Sequence, residues 1–113
     1  MEIFEVKRPW GNFRQFTHNS PSTVKIISVN PNESLSLQSH QKRAEFWRVI
    51  DGSGVVEIDG VRGNVSAGDE REIKAGSKHR LEAWPDGIKI LEIATGQFDE
   101  NDEVRYEDKY GRK

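Results

Sequence analysis

The chain has no cysteine, and this absence removes several kinds of chemistry at once. Disulfides, thiolate zinc sites and cysteine nucleophiles are all excluded. The chain also lacks a charge excess of either sign: 17 Lys and Arg stand against 19 Asp and Glu, a formal net charge of −2, and no basic block stands out. This balance argues against a general binder of nucleic acid or of membrane surfaces.

Long apolar runs are missing as well. No stretch approaches the length of a membrane span, and residues 1–5 lack the basic and apolar regions of a signal peptide. We therefore expect a cytoplasmic protein, with which the absence of cysteine is compatible. A length of 113 residues is close to the usual size of one domain, so residues 1–113 are predicted to form a single domain.

What the chain does contain is a series of short apolar segments separated by turn residues. The pattern predicts strands at residues 24–29, 34–40, 44–50, 55–58, 79–84 and 88–94, with turns at 51–52, 59–60, 67–69 and 85–87. Asp59-Gly60 is a tight hairpin signal, because glycine supplies the positive φ that primed turns need. Many short, closely spaced strands predict an all-β sandwich or barrel.

Four polar residues on these segments form a predicted metal site. Gln38 and His40 are two positions apart, so on a strand they point to the same face. Glu45 follows on the next strand, and His79 begins a later strand after the glycine turn at Gly76. One amide oxygen, two imidazoles and one carboxylate suit a single divalent ion of zinc, manganese, cobalt, nickel or iron.

The alternation of residues 34–40 leaves two interpretations of this strand open. Leu35 and Leu37 point away from the face that carries Gln38 and His40. Either a bulge switches the face before the ligands, or the outer face of the strand is buried against another surface.

Segment 44–50 carries apolar residues on both of its faces. Glu45 shares one face with Trp47, whereas Phe46 and Ile50 lie on the other. Apolar residues on both faces indicate that both faces are covered. We predict that a second subunit supplies the outer cover, which makes the protein a homodimer.

The spacing of the site residues resembles the two motifs of the cupins, which are metal-binding β-barrels. The matching positions are Gln38, His40, Glu45, Gly52, Gly68, Gly76 and His79. Asn32, Lys74 and Ala83 stand where those motifs have glycine, proline and asparagine. The resemblance implies a cupin-type double-stranded β-helix, or jelly-roll barrel. For the C-terminus the residues leave two alternatives open, a short helix capped by Asp99 or Asn101 and a tail that clasps the barrel.

Longer stretches are similar to the type II phosphomannose isomerase family. They are residues 8–11, 35–40, 43–47, 75–82 and 104–112. In many bacteria this module is the C-terminal part of a bifunctional enzyme whose other half is a mannose-1-phosphate guanylyltransferase. The resemblance implies metal-dependent isomerisation of mannose 6-phosphate to fructose 6-phosphate by enediol proton transfer. Nucleotidyl transfer is not expected, because the chain has no glycine-rich nucleotide loop.

Four cationic residues are candidates for contact with a sugar phosphate. The family resemblance places Arg43 in the substrate site, with catalytic and binding roles. Lys42 and Arg80 are further candidates for the base or the phosphate partner, and Arg105 for a cation that reaches the barrel mouth. Arginine suits phosphate because its planar fork offers paired donors.

The chain departs from the family where it has Gln41, Lys42 and Phe46 instead of histidines. If the family ligand set used the position of Lys42, the site would lose a ligand, because a protonated amine binds metal poorly. The loss favours a second hypothesis, a non-catalytic sugar- or nucleotide-sugar-binding cupin that partners a separate guanylyltransferase. A third hypothesis is a metal oxygenase, since two histidines and a carboxylate resemble a facial triad. The extra Gln38 counts against it.

Overall fold

The computed structural model describes residues 2–111 and consists of nine β-strands joined by turns, with no helix in that range. It therefore has no helix that could span a membrane among the residues described. The strands are β1 Phe4–Arg8, β2 Gly11–Gln15, β3 Ser22–Val29, β4 Leu37–Ser39, β5 Arg43–Ile58, β6 Val61–Ser66, β7 Glu70–Ile73, β8 His79–Gly96 and β9 Val104–Glu107. All of their pairings are antiparallel, which confirms the prediction of an all-β fold.

The long strands β5 and β8 pass through both halves of the barrel. Residues 43–49 of β5 pair with residues 90–96 of β8, and residues 54–58 pair with residues 79–83. The first half has the strand order β3-β8-β5-β7, and the second has the order β9-β4-β8-β5-β6. Because the two halves share these two strands, they enclose one core.

The chain continues as strand where the sequence predicts turns at 51–52 and 85–87, so both predictions of a chain break are wrong. The predicted pairs of short strands are single strands, β5 and β8, with register shifts between Val49 and Asp51 and between Gly52 and Gly54. Gly52 has a φ of +81°, and a Cβ there would collide with the carbonyl oxygen of Gly87. Glycine therefore bends the paired strands without separating them.

The hairpin predicted at Asp59-Gly60 is confirmed. Both residues have positive φ, +48° and +83°, and Ile58 pairs with Val61 across the turn. Positive φ at both central residues is the requirement of a type I′ turn, whose twist matches that of the flanking strands.

The strand predicted at residues 34–40 is shorter than expected. Only Leu37–Ser39 form β4, preceded by an isolated bridge between Ser34 and Glu82. The pairing of β4 with β9 shifts register between Leu37 and Gln38, as in the bulge interpretation. Leu35 packs against the core from the segment before this irregularity.

The C-terminal segment forms a strand, so the helical alternative for this tail is wrong. β9 pairs with β4, with Arg105 opposite Gln38 and the Tyr106 hydroxyl 3.0 Å from Ser39 Oγ. The free edge of β4 offers backbone hydrogen-bonding partners that a short helix would leave unused.

The core lies between the two halves of the barrel. Its buried members are Val29, Trp47, Val49, Val56, Val65, Ile73, Leu81, Ala83, Ile88 and Ile90. On the opposite face of β5, Phe46 is covered from within the same chain by Phe16, with ring centroids 4.9 Å apart. Ile50 on that face is exposed.

Candidate metal centre and substrate cavity

Three of the four predicted ligands meet in the interior of the barrel. His40 follows β4, Glu45 lies near the start of β5, and His79 begins β8; all three side chains are buried. Glu45 Oε1 lies 3.1 Å from His79 Nε2 and 3.6 Å from His40 Nε2. One ligand atom from each residue lies within 4.8 Å of the others. This spacing lets one ion contact all three.

Backbone carbonyls orient both imidazoles toward this point. His40 Nδ1 donates to the carbonyl oxygen of Asp102 at 3.0 Å, and His79 Nδ1 donates to that of Ser77 at 2.9 Å. A carbonyl oxygen can only accept, so Nδ1 carries the proton and Nε2 presents its lone pair to the site. Burial lowers the pKa of His40, which favours the neutral, ligating form.

The polar atoms of the cluster are those that a cation would satisfy. Glu45 Oε1 and His79 Nε2 are buried and have no hydrogen-bond partner, although they face each other at 3.1 Å. Two acceptors at this distance repel each other, whereas a cation held by both offsets the cost of their burial. The donor set of two neutral imidazoles and a carboxylate fits a divalent transition metal.

Arg43 occupies the remaining imidazole lone pair. Its Nη2 lies 3.1 Å from His40 Nε2, at donor distance from the nitrogen that points into the cluster. One lone pair cannot serve both a guanidinium and a metal ion. A metal ion held by His40 Nε2 would therefore displace the Arg43 donor from it.

Gln38, the fourth predicted ligand, lies on β4, where it is the strand-pairing partner of His79 in β8 and of Arg105 in β9. Its half-buried side chain lines the same cavity as His40 and Glu45. Its part in metal binding stays a prediction.

A second carboxyl group, that of Glu92 on β8, faces the cluster. It is buried, and the Trp47 indole Nε1 donates to its Oε1 at 3.0 Å. Burial and the adjacent Glu45 raise the pKa of Glu92 to about 8. Burial also works to raise the pKa of Glu45, but the hydrogen bond from the Glu92 carboxyl group lowers it.

These groups line a cavity of about 200 Å³ that opens to solvent. Its wall consists of Lys25, Ile27, Leu35, Ser36, Gln38, His40, Arg43, Glu45, Trp47, Glu92, Glu103 and Arg105. The cavity thus places His40 and Glu45 beside three cations, which are Lys25 of β3, Arg43 of β5 and Arg105 of β9.

The four predicted cations divide into two groups. Arg43 and Arg105 line the cavity, as the substrate-site prediction requires. Arg80 does not: it forms ion pairs with Glu57, Glu82 and Glu107 at 3.4, 3.6 and 3.0 Å. Lys42 is exposed, outside the cavity lining, and its backbone N–H donates to the Asp102 carboxylate at 2.8 Å. The roles predicted for Arg80 and Lys42 are not supported by this placement and stay predictions.

Sequence reasoning missed two cavity residues for which the chain did contain a signal. Glu92 is an acid in the middle of the apolar run 88–94, where an unpaired charge is costly. Lys25 alternates with Val24 and Ile26, so it shares a face with Ile27. In each case a charged residue at an inward position indicated the cavity.

Solved structures similar to this chain define its class. Oxalate decarboxylase from Bacillus subtilis superposes with a TM-score of 0.70 and 26% identity, over 77% of this chain and 24% of that one. A cupin protein from Bacteroides fragilis superposes with a TM-score of 0.62 and 26% identity, over 66% of this chain and 65% of that one. The fold is that of a cupin.

Comparison of the sequence assigns the chain to one family within the cupins. A model of the mannose-6-phosphate isomerase C-terminal family matches residues 2–108, and the chain belongs to that family. It is 39% identical over 110 residues to mannose-1-phosphate guanylyltransferase ManC of Salmonella typhimurium and to alginate biosynthesis protein AlgA of Pseudomonas putida. In both comparisons 96% of this chain is covered but only 23% of the relative. The chain thus spans about a quarter of the length of these relatives.

Proposed function

We propose that this protein is a metal-dependent sugar-phosphate isomerase that interconverts mannose 6-phosphate and fructose 6-phosphate. The observation that supports it best is the buried cluster of His40, Glu45 and His79, two of whose members, His40 and Glu45, line a cavity together with Arg43 and Glu92. Membership of the mannose-6-phosphate isomerase C-terminal family supplies the reaction class.

The proposed reaction moves a proton between two neighbouring carbons. A base removes the proton at C2 of the aldose, O1 gains a proton to give the enediol, and the return of a proton to C1 with loss of the O2 proton gives the ketose. No atom is gained or lost, so no further reactant is needed. A divalent ion held by His40, Glu45, His79 and Gln38 would polarise the sugar oxygens and stabilise the negative charge of the enediol.

Glu92 is our candidate for the group that carries the proton. Glu45 is assigned to the ion, and Glu103 forms an ion pair with Arg105 at 2.7 Å. Among the described residues, Glu92 is therefore the cavity carboxyl group without an assigned ligand role, and Lys25 lies opposite it on β3, where its charge works to lower the pKa of Glu92. The indole of Trp47 fixes its position. Lys42 and Arg80 remain candidates only if they reach the substrate from outside the cavity lining.

Two measurements test the proposal together. The protein is incubated with zinc, manganese, cobalt, nickel or iron, and bound metal is measured by elemental analysis. Turnover of mannose 6-phosphate is then followed in a coupled assay. We expect one ion per chain and turnover above that of the metal-stripped protein. Near-zero metal with every ion would contradict the site, and metal without turnover would contradict the isomerase.

The chain offers a matched control for its metal ligands. His79→Ala and His40→Ala are expected to lose the ion while the barrel stays folded. His18→Ala removes the third histidine, which is exposed and hydrogen-bonded to Gln15 and Asn19. It is expected to keep a full complement of metal.

A non-catalytic sugar- or nucleotide-sugar-binding subunit is the second candidate. It is favoured by the name of the relatives, mannose-1-phosphate guanylyltransferase, and by the coverage of only 23% of their length. In this case the protein would bind a separate guanylyltransferase. Metal-dependent binding of mannose 6-phosphate without turnover, together with copurification of such an enzyme, would select this candidate.

A further inference from the structure

The N-terminal hairpin, residues 4–15, stands away from the barrel. It forms its own two-stranded sheet from β1 and β2, and no barrel strand pairs with it in the described part of the chain. Residues 7–14 are all exposed. A two-stranded hairpin is only marginally stable in water unless it packs against another surface. The hairpin therefore lacks most of the contact that such an element needs.

The two faces of this hairpin differ in polarity, and the polar face is the one that contacts the barrel. In the register of β1 and β2, Val6 lies opposite Phe13, and Glu5 lies opposite Arg14. Strand alternation places the first pair on one face and the second pair on the other. Arg14 forms an ion pair with Glu70 of the barrel at 2.6 Å. The apolar face is therefore turned away from the contact that anchors the hairpin.

The outer face of β3 is a second uncovered surface, and it carries no charge. Its outward residues Ser22, Val24, Ile26 and Ser28 are all exposed, whereas the residues between them are half-buried. The one cation of the strand, Lys25, lines the cavity instead. Exposed edge strands usually carry charged side chains that oppose pairing with another chain. This strand, which pairs only with β8 among the described residues, has no such protection on its outer face.

The hairpin of the same chain leaves the β3 face open. The Arg14–Glu70 ion pair holds the hairpin to β7, and β7 and β3 are the two outer strands in the order β3-β8-β5-β7. Three strand spacings separate them, which is roughly 14 Å. One chain thus carries two apolar surfaces that it does not bring together. A second copy does so, and two-fold symmetry then joins both pairs of surfaces at once.

The area of these surfaces is sufficient for a dimer. Phe4, Trp10 and Phe13 of the hairpin are 46%, 73% and 38% exposed. A large aromatic side chain can bury about 150–250 Å², so these three still offer roughly 300 Å² per chain. With Val24 and Ile26 added, burial in two copies removes on the order of 1,000 Å² from water, which is the lower bound of a specific interface.

We propose that two copies of this chain exchange their N-terminal hairpins, each hairpin packing its apolar face on the outer face of β3 in the other copy. Trp10 and Phe13 of one chain cover Val24 and Ile26 of its partner. The exchange uses no residue of the cavity, so it is independent of the isomerase function. It identifies the segment of the second copy that covers the β3 face.

The lack of cysteine allows a direct test of this contact, because introduced thiols are the only ones present. Asn12→Cys labels the exposed end of the hairpin, and Ser22→Cys and Ser28→Cys label the two ends of the β3 face. Asn12→Cys is mixed with each β3 variant, left to exchange subunits and treated with a short bis-maleimide. Mass spectrometry of the linked peptides is expected to show a hairpin–β3 product between different chains. Ser66→Cys, exposed on β6, is the matched partner that should give none.

Sedimentation over a range of concentrations measures the contribution of the hairpin to the dimer. We expect Phe13→Glu to raise the Kd of the dimer at least about 100-fold, because symmetry places a carboxylate in two apolar contacts. Phe13→Leu keeps an apolar side chain and is expected to retain most of the affinity. Lys7→Gln changes the net charge by the same amount on the polar face of the hairpin, and should leave the Kd unchanged. Thermal unfolding checks that each barrel is intact.

The outcomes separate the exchange from other arrangements. A hairpin–β3 product together with a weakened dimer in Phe13→Glu supports the exchange. An unchanged Kd in Phe13→Glu, or no product between the hairpin and β3, overturns it. If Ile26→Glu still dissociates that dimer, the two β3 faces pack on each other instead. A wild type that is monomeric at every concentration also overturns the exchange and leaves the isomerase function untouched.

Discussion

Glu45 and Glu92 are two carboxyl groups of one cavity with opposite preferences for a proton. Burial disfavours charge on both, and the pair holds one proton on Glu92. Burial and the adjacent Glu45 raise the pKa of Glu92 to about 8, against the Trp47 indole N–H, which works to lower it, whereas the hydrogen bond from Glu92 lowers the pKa of Glu45. Groups of one type with their pKa values driven apart are typical of acid–base sites.

Replacement of Glu92 by glutamine tests its proton-carrying role. We expect kcat to fall 10²- to 10⁴-fold, the usual contribution of general acid–base catalysis, while the metal content measured by elemental analysis stays at the wild-type level. Glu72→Gln, on the exposed side of β7, is the control and should leave both quantities unchanged. A kcat of Glu92→Gln close to that of the wild type would assign proton transfer to another group.

The buried cluster of His40, Glu45 and His79 was easier to predict than the rest of the cavity for a physical reason. His40, Glu45 and His79 are set by short-range features: strand alternation, a four-residue gap and a glycine turn. Glu92 and Lys25 join them only through the pairing of β3 with β8 and of β8 with β5, which no local pattern specifies. Arg80 shows the converse, since it pairs with Glu57 of β5 and Glu107 of β9 as well as with Glu82 of its own strand.

Among the elements, the bends of β5 and β8 explain why the fold prediction gave too many strands. A glycine with positive φ serves a hairpin turn and a bulge equally well. At Asp59-Gly60 the chain reverses, and at Gly52 it continues, because there the partner strand β8 bends at Gly87 in parallel with it. Local sequence predicts the bend, and only the long-range pairing decides its kind.

Substitution of Gly52 by alanine measures how much the bend matters. Alanine at this φ is strained, and its Cβ would meet the carbonyl oxygen of Gly87, so we expect a loss of about 3 kcal/mol or more in the free energy of unfolding. Gly68→Ala is the matched control: its φ is also positive, at +95°, but nothing lies within 4 Å of the added Cβ. It should cost only about 1 kcal/mol in urea denaturation. Equal losses of stability in Gly52→Ala and Gly68→Ala would refute the predicted collision with the Gly87 carbonyl oxygen.

The hairpin of β1 and β2 is held to the barrel by few contacts. It forms a separate two-stranded sheet, and Arg14 on β2 forms an ion pair with Glu70 of β7 at 2.6 Å. Arg48 of β5 shares that carboxylate at 2.5 Å. An isolated two-stranded hairpin is marginal in water, so this anchor contributes to its order.

The ion pair between Arg14 and Glu70 predicts that the stability of the fold depends on pH. Hydrogen bonds from Arg14 and then Arg48 lower the pKa of Glu70 below its ordinary value of 4.5. The carboxylate therefore stabilises the fold above pH 4.5 and ceases to do so as the pH falls through the lowered value. We expect Glu70→Gln to lower the thermal midpoint at neutral pH, with a loss of no more than about 1 kcal/mol in the free energy of unfolding. This difference from the wild type is expected to vanish in acid. Glu72→Gln should show no such trend, and a difference that does not change with pH would refute the anchor.

For the whole molecule, the outer face of β3 is the surface that favours a homodimer. Val24 and Ile26 are 61% and 62% exposed and adjacent on one face, and β3 pairs only with β8 among the described strands. The cover of Phe46 by Phe16 removes one argument for a second subunit, so the dimer prediction now rests on this face and edge. Apolar residues on an open edge strand are a ready surface for a second copy.

Sedimentation analysis tests the dimer prediction. We expect the wild type to sediment with the mass of two chains and Ile26→Glu with the mass of one, because the charge opposes burial of the β3 face. Val61→Lys is the control: Val61 is 75% exposed beside the Asp59-Gly60 turn, away from β3, and its substitution should not alter the mass. A monomeric wild type would contradict the prediction.

The hydrogen bond from His40 to Asp102 also sets an order in time. The two residues are 62 positions apart, and at ordinary rates of synthesis the ribosome needs roughly 3–12 s to add the intervening residues. Until β9 is made and docks on β4, the ring of His40 lacks the carbonyl acceptor that holds its Nδ1, and the loop at Gln41 and Lys42 lacks its anchor on the Asp102 carboxylate. We therefore expect an ion at His40, Glu45 and His79 to bind after β9 has docked and not to guide the folding of the nascent chain.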